Sequence, residues 1–127
     1  MRHAIRTIST TTLLLAAVAC ASWHSFHSET TIAGGQSFLL GGDQASSFVA
    51  TVRNTGTVPV AILVEAAGVR RPVTVLLPNA TVDATIEPKQ IAVFSNASSV
   101  AAVIRVAIRG RADNLGMRYD ATGRAAH

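Results

Sequence analysis

The sequence predicts an all-β fold, a small antiparallel β-sandwich of seven to eight strands that follows an N-terminal signal segment. Apolar and polar residues alternate with period two, turn-forming residues recur every eight to twelve positions, and no long helical pattern follows the first segment. The 127 residues, 49% of them apolar and 14% charged, are enough for one domain with a modest core. A small closed barrel is the alternative fold, since it would carry the same patterns.

Residues 1–21 have the three-part layout of a bacterial secretory signal peptide. Arg2 and Arg6 form a basic start, Leu13 to Ala19 is an uninterrupted apolar run, and small residues surround Cys20. The apolar run is well short of the ~20 residues that a transmembrane helix needs. We therefore expect the chain to be exported.

Cys20 is the single cysteine of the chain, which excludes an intramolecular disulfide. The stretch Leu-Leu-Ala-Ala-Val-Ala-Cys-Ala-Ser around it resembles the lipobox of bacterial lipoproteins, although Ala17 stands where that family usually has leucine. The resemblance implies lipidation at Cys20 and a cell-envelope protein, periplasmic or outer-membrane-associated, anchored to the membrane. Ordinary signal cleavage at a small-residue site, giving a secreted soluble protein, is the alternative.

Residues 22–35 are polar and interrupted by aromatic residues, and we predict that they form a flexible tether near the membrane surface. His24 and His27 are three positions apart in this segment. A metal site needs three or four converging ligands, and no third candidate lies nearby, so no metal site is predicted.

The sandwich domain is predicted over residues 36–120, beginning with a short strand between Gly34-Gly35 and Gly41-Gly42. Alternation over Phe48–Arg53 and again from Val60 to Ala66, around Asn54-Thr55-Gly56-Thr57, predicts the founding β-hairpin of the sheet. Residues 121–127 have no pattern and are predicted to be a disordered tail.

Five further strands are predicted after this hairpin, separated by the turn signals Pro78-Asn79 and Glu87-Pro88-Lys89-Gln90 and by polar loops. The longest, Ala101 to Arg109, directs Ile104, Val106 and Ile108 to the core. The five strands are expected at 73–77, 81–87, 91–94, 101–109 and 115–119.

Two segments together resemble the bacterial immunoglobulin-like modules of surface and periplasmic proteins. Val-Arg-Asn-Thr-Gly-Thr-Val-Pro-Val carries Asn54 and Gly56 of their first turn, and Ile-Glu-Pro-Lys-Gln-Ile-Ala-Val-Phe carries Pro88 and Gln90 of a later one. Lys89 replaces the usual glycine, which favours a type I turn over type II. The resemblance implies an immunoglobulin-like sandwich that acts as a spacer or a binding surface.

No pattern in the chain indicates a catalytic centre or a cofactor site, so the protein is predicted not to be an enzyme. Asp83 and Glu87 lie four positions apart on one strand, ~13 Å between Cα atoms, which is wider than a glycosidase acid–base pair. From Cys20 onward, the sequence contains nine basic and seven acidic residues. Nucleic-acid-binding proteins usually carry a larger excess of positive charge than this. No nucleic acid is therefore expected as a partner.

Arginine is the one residue type that is concentrated near the end of the chain. Arg105 and Arg109 share a strand face, Arg111 follows, and Arg118 would join them if the last strand pairs with theirs. Such a stripe would bind polyanions or anionic lipid headgroups, whereas charge that keeps an exposed sheet soluble is the simpler interpretation. The expected function is thus a non-enzymatic binding or structural module of the envelope, with an anion-binding stripe as the alternative.

Overall fold

The computed structural model describes residues 25–111 and 115–121. The predicted signal segment with Cys20, His24 and the predicted tail beyond Ala121 lie outside the described residues. Those residues form nine strands and no helix: β1 Ser25–Ile32, β2 Gln36–Gly41, β3 Phe48–Asn54, β4 Val60–Ala66, β5 Val69–Leu76, β6 Thr81–Ile86, β7 Ile91–Ser95, β8 Ala102–Gly110 and β9 Met117–Ala121.

The strands form two antiparallel sheets, as predicted, and the sheets do not close into a barrel. One sheet has four strands in the order β1-β8-β3-β6, and the other has five in the order β5-β4-β7-β2-β9. The alternation prediction is confirmed on β8, where Ile104, Val106 and Ile108 are each at most 3% exposed. Phe38 and Phe94 stack with ring centroids 6.0 Å apart in the core. The core therefore lies between the two sheets.

The prediction of a founding hairpin is wrong, because its two strands, β3 and β4, belong to different sheets. Asn54, fully buried, directs the chain across the sandwich: its amide nitrogen donates to the carbonyls of Val58 at 2.8 Å and Leu76 at 2.9 Å. Its side-chain oxygen accepts the Gly56 amide at 3.0 Å. Since the polar groups of the turn are satisfied this way, it forms an arch between sheets instead of a hairpin.

Asn96 makes the same set of bonds at the arch that leads from β7 to β8. Its amide nitrogen donates to the carbonyls of Ile32 at 2.9 Å and Val100 at 2.7 Å, and its oxygen accepts the Ser98 amide at 3.0 Å. Gln44 holds the opposite end, donating to the carbonyls of Glu87 and Gln90. Buried amides thus fasten both ends of the sandwich.

Among the described strands, β4 and β5 are the consecutive pair that forms a hairpin. Ala67 and Gly68 at its tip have φ values of 52° and 78°, as a type I′ turn requires. The prediction started this strand at Val73, but β5 begins at Val69 and includes Arg70 and Arg71.

The tether prediction is also wrong for most of its length, because β1 lies within residues 22–35 and pairs with β8 along eight positions. Ile32 is fully buried and Thr30 is 5% exposed. The strand reads as polar because its outer face meets solvent and because the two inward positions immediately before Ile32 hold the small polar residues Ser28 and Thr30. The sandwich therefore includes Ser25–Ile32, which the prediction had assigned to the tether.

The turn at Lys89 differs from the expected type I. The amide of Gln90 donates to the carbonyl of Glu87 at 3.1 Å, and Lys89 has a φ of 68°. A positive φ at the third turn position is the mark of a type II turn, which Pro88 at the second position also favours. Lys89 therefore adopts a left-handed backbone that costs a side-chain-bearing residue free energy.

Candidate binding face

The outer face of the four-stranded sheet carries charged side chains from all four of its strands. We call it the polar face and define it by nine of the outward residues of its strands: His27, Glu29, Thr51, Arg53, Thr81, Asp83, Arg105, Ala107 and Arg109. Their neighbours along each strand point into the core, because successive strand residues face opposite sides. The polar face is thus the solvent side of the same alternation that builds the core.

A row of four residues crosses the polar face from edge to edge. Glu29 lies opposite Arg105, Arg105 lies opposite Arg53, and Arg53 lies opposite Thr81. The two arginines therefore stand side by side on neighbouring strands at the centre of the sheet. Directly opposed positions in an antiparallel pair have Cβ atoms about 5 Å apart.

The next row is built from smaller residues, which leaves a depression in the polar face. Ala107 and Thr51 are its central members, and they lie beside the long side chains of Arg53 and Arg105. The depression has a volume of about 680 Å³ and is lined by His27, Glu29, Thr51, Arg53, Thr81, Arg105 and Ala107, with parts of Ser28 and Val106. It offers a broad, shallow surface that is open to solvent.

Two of the three arginines on the polar face lie near a carboxylate, and the third does not. Glu29 lies 3.8 Å from Arg105, and Asp83 lies 3.7 Å from Arg109 and accepts a 2.6 Å hydrogen bond from the Thr51 hydroxyl. Within residues 27–111 and 115–121, Arg53 has no carboxylate within ion-pair distance. The centre of the row thus holds two guanidinium groups and one loosely placed carboxylate.

The structure separates the four arginines that the sequence grouped together. Arg105 and Arg109 share the polar face, and Arg111 follows β8 as an exposed residue. Arg118 lies on β9, which pairs with β2 in the other sheet, so it does not join the stripe. The condition under which Arg118 would join the stripe, pairing of the last strand with β8, is therefore not met.

Arg53 is the member of the site that sequence reasoning missed. It occupies an outward position of β3 and so has the same signal as Arg105, a charged residue between two core positions. The missing information was the pairing of β3 with β8, which brings together residues that are far apart in the chain.

No group of three or more histidine, cysteine, aspartate or glutamate side chains that would hold a metal ion occurs in the described ranges. The same ranges contain no helix that is long and apolar enough to cross a membrane. The predicted lipidation site, Cys20, is not among them.

Comparison with known proteins gives one distant likeness. No family model matches the chain, and no curated protein matches it. Among solved structures, the fold is similar to the crystal structure of the Yersinia pseudotuberculosis-derived mitogen, with a TM-score of 0.44 and 11% sequence identity over 73% of this chain and 94% of that one. A likeness this distant carries no argument about function.

Proposed function

We propose that this chain is an exported, non-enzymatic binding module of the bacterial cell envelope that holds an anionic polymer on its polar face. The observation that carries the proposal is the direct opposition of Arg53 and Arg105 beside the depression. Like charges at opposed positions of a sheet destabilise it. A negative group placed between the two side chains removes this repulsion.

The chemistry of the pair fits carboxylate, sulfate or phosphate groups. A guanidinium presents N–H donors in a planar fork that matches such anions, and two adjacent forks hold one group more firmly than either alone. Glu29 competes for Arg105 from 3.8 Å, which is beyond hydrogen-bond distance, so an incoming anion displaces little.

The shape of the polar face favours a polymer over a small molecule. Small-ligand sites are enclosed, whereas this depression is open to solvent and follows the surface of the sheet.

A second candidate function, contact with anionic lipid headgroups, is favoured by where β1 begins. If Cys20 is lipidated, five residue steps separate it from Ser25, a reach of at most about 18 Å. Ser25 pairs with Arg109, and Arg111 follows two positions later. The end of the sandwich that carries these two arginines would then lie close to the membrane.

The proposed function is tested by binding to alginate, a carboxylated polymer, and to dextran sulfate, measured across a range of salt concentrations. The variant Arg53→Gln/Arg105→Gln should lose at least tenfold in affinity. The control Arg71→Gln/Arg118→Gln removes the same net charge from exposed positions on the five-stranded sheet and should lose less than twofold. Equal losses in both variants, or no binding by the parent chain, would reject a specific site.

The lipid arm is tested separately by binding to vesicles with and without phosphatidylglycerol. Arg109→Gln/Arg111→Gln should weaken vesicle binding more than Arg53→Gln/Arg105→Gln does, and added salt should weaken it further. Feeding cells an alkyne-labelled fatty acid tests the anchor, with Cys20→Ala as the unlabelled control. A parent chain that takes up no label is not lipidated, and the membrane-proximal placement then fails.

A further inference from the structure

Among the described strands, β5 lies at one edge of the five-stranded sheet, and it carries exposed apolar side chains. Val69, Val73, Val75 and Leu77, which follows the strand, are 50–59% exposed. An exposed apolar edge strand invites pairing with another strand, and proteins normally protect such edges with charge, proline or a bulge.

The first half of β5 has these protections. Arg70 and Arg71 are charged, Pro72 has no N–H to donate, and the register shift opposite Ile62 and Leu63 leaves Val73 without a partner on β4. A bulge of this kind bends the strand and disrupts pairing locally. The second half, from Val73 to Leu77, has neither charge nor proline, and beyond the bulge at Val73 it has none of these protections.

This unprotected half is self-complementary about Val75. An antiparallel pairing of two copies with its twofold axis at Val75 sets Val75 against Val75 of the second copy and Val73 against Leu77. The same register sets Pro72 against Pro78, so a proline ends the paired segment on both sides. Each exposed apolar residue of the segment then meets another exposed apolar residue.

We infer that β5 pairs with β5 of a second copy of this chain through Val73–Leu77, forming a twofold dimer. A second copy is favoured over an unrelated strand because a single twofold axis at Val75 both matches the apolar residues and places a proline at each end of the paired segment. A register shifted by one residue would set Thr74 against Val75 and lose the match. The dimer joins two five-stranded sheets edge to edge. The contact is the same antiparallel strand pairing that connects the strands within each monomer.

The area of this contact makes the dimer weak. Five residues from each chain bury less than the roughly 1,600 Å² of a standard stable interface, so we expect dissociation in the micromolar range or weaker. The dimer would also place two polar faces in one particle. For a polymeric ligand, that pairing raises the apparent affinity without any new contact, a consequence that rests on the proposed function.

Sedimentation equilibrium over a concentration series of the full chain tests the dimer. The parent chain should shift from monomer to dimer without larger species, and Val75→Lys, which brings two charges together at the axis, should stay monomeric. Thr85→Lys, at an exposed position on the β6 edge of the other sheet, should dimerise like the parent. A parent that stays monomeric up to millimolar concentration, or that forms open-ended aggregates, overturns the inference.

A cysteine at the axis tests the register. In a Cys20→Ser background, Val75→Cys places two thiols at directly opposed positions, where the Cα atoms are about 4.5–5.5 Å apart, within disulfide range. Mild oxidation should yield a covalent dimer at least tenfold faster for Val75→Cys than for Thr85→Cys. Equal rates of cross-linking contradict the Val75 axis even if the parent chain dimerises.

Discussion

The guanidinium of Arg70 lies 3.7 Å from the carboxylate of Asp120, although their strands, β5 and β9, are opposite edges of the five-stranded sheet. Four strand spacings of about 4.8 Å would separate these edges by about 19 Å in a flat sheet. The sheet must therefore curl until its edges approach over its outer face. Leu39 and Val93, which point away from the inter-sheet core, are buried on that face at 3% and 0% exposure.

This curl explains why the two outer faces of the sandwich differ. Arg70 also donates to Glu65 at 2.7 Å, so its guanidinium joins both edges above Leu39 and Val93. The outer face of the five-stranded sheet is thus partly covered by its own side chains. The polar face of the four-stranded sheet is left as the broad surface that is open to a ligand.

We expect Arg70→Met to destabilise the protein by roughly 1–3 kcal/mol, because it leaves the largely buried Glu65 carboxylate without its partner. Asp120→Asn should cost less than about 1 kcal/mol, since that pair is longer and more exposed. Urea denaturation measures both changes. Arg71→Met, next along the strand and exposed, is the control at about 0.5 kcal/mol or less. If Arg70→Met costs no more than Arg71→Met, the pair between Arg70 and Glu65 does not stabilise the sheet.

Asn54→Ala and Asn96→Ala should each destabilise the sandwich by about 2–4 kcal/mol. Each substitution removes two donated bonds and at least one accepted bond at a fully buried side chain, and leaves backbone carbonyls without partners. Thr57→Ala, exposed in the same arch as Asn54, should change stability by less than about 0.5 kcal/mol. Similar unfolding midpoints for all three variants would show that the buried amides do not hold the arches.

Lys89→Gly should stabilise the protein by roughly 0.5–1 kcal/mol, and Lys89→Val should destabilise it. The positive φ at Lys89 is free of strain for glycine and worst for a β-branched residue. The thermal midpoints of the two variants should therefore move in opposite directions. If both fall below the parent, the turn is not of type II in solution.

Ile32→Ala should destabilise the protein by about 2–5 kcal/mol, because Ile32 is fully buried in the core at the end of β1. Thr31→Ala, at the adjacent exposed position, serves as its control and should cost about 0.5 kcal/mol or less. If Ile32→Ala is as stable as the parent chain, β1 does not pack into the core, and the flexible tether predicted from the sequence is correct.

The sequence predicted the sandwich and its inward residues because strand alternation depends on neighbouring positions. Ile104, Val106 and Ile108 were assigned correctly for this reason. It did not predict which strands pair. A turn signal such as Asn54 to Thr57 reverses the chain in either a hairpin or an arch, and bonds to distant carbonyls decide between them.

The candidate site was predicted only in part, because the direction of its side chains depends on local alternation but their neighbours depend on strand pairing. The outward direction of Arg105 and Arg109 follows from local alternation, whereas their neighbours follow from strand order. Arg118 was grouped with them and lies in the other sheet, and Arg53 was overlooked although it lies opposite Arg105. Charge counted along the chain therefore does not locate a site that is assembled across strands.

Binding of an anion between Arg53 and Arg105 is measured most directly by NMR titration of the arginine Nε–Hε signals with alginate oligomers. The largest changes in chemical shift should occur at Arg53 and Arg105, with smaller ones at the backbone amides of Thr51 and Ala107, which line the depression. Arg71 and Arg118, on the other sheet, should stay nearly unchanged. Equal shifts at all exposed arginines, or the largest shifts at Arg71 or Arg118, would contradict a binding site on the polar face.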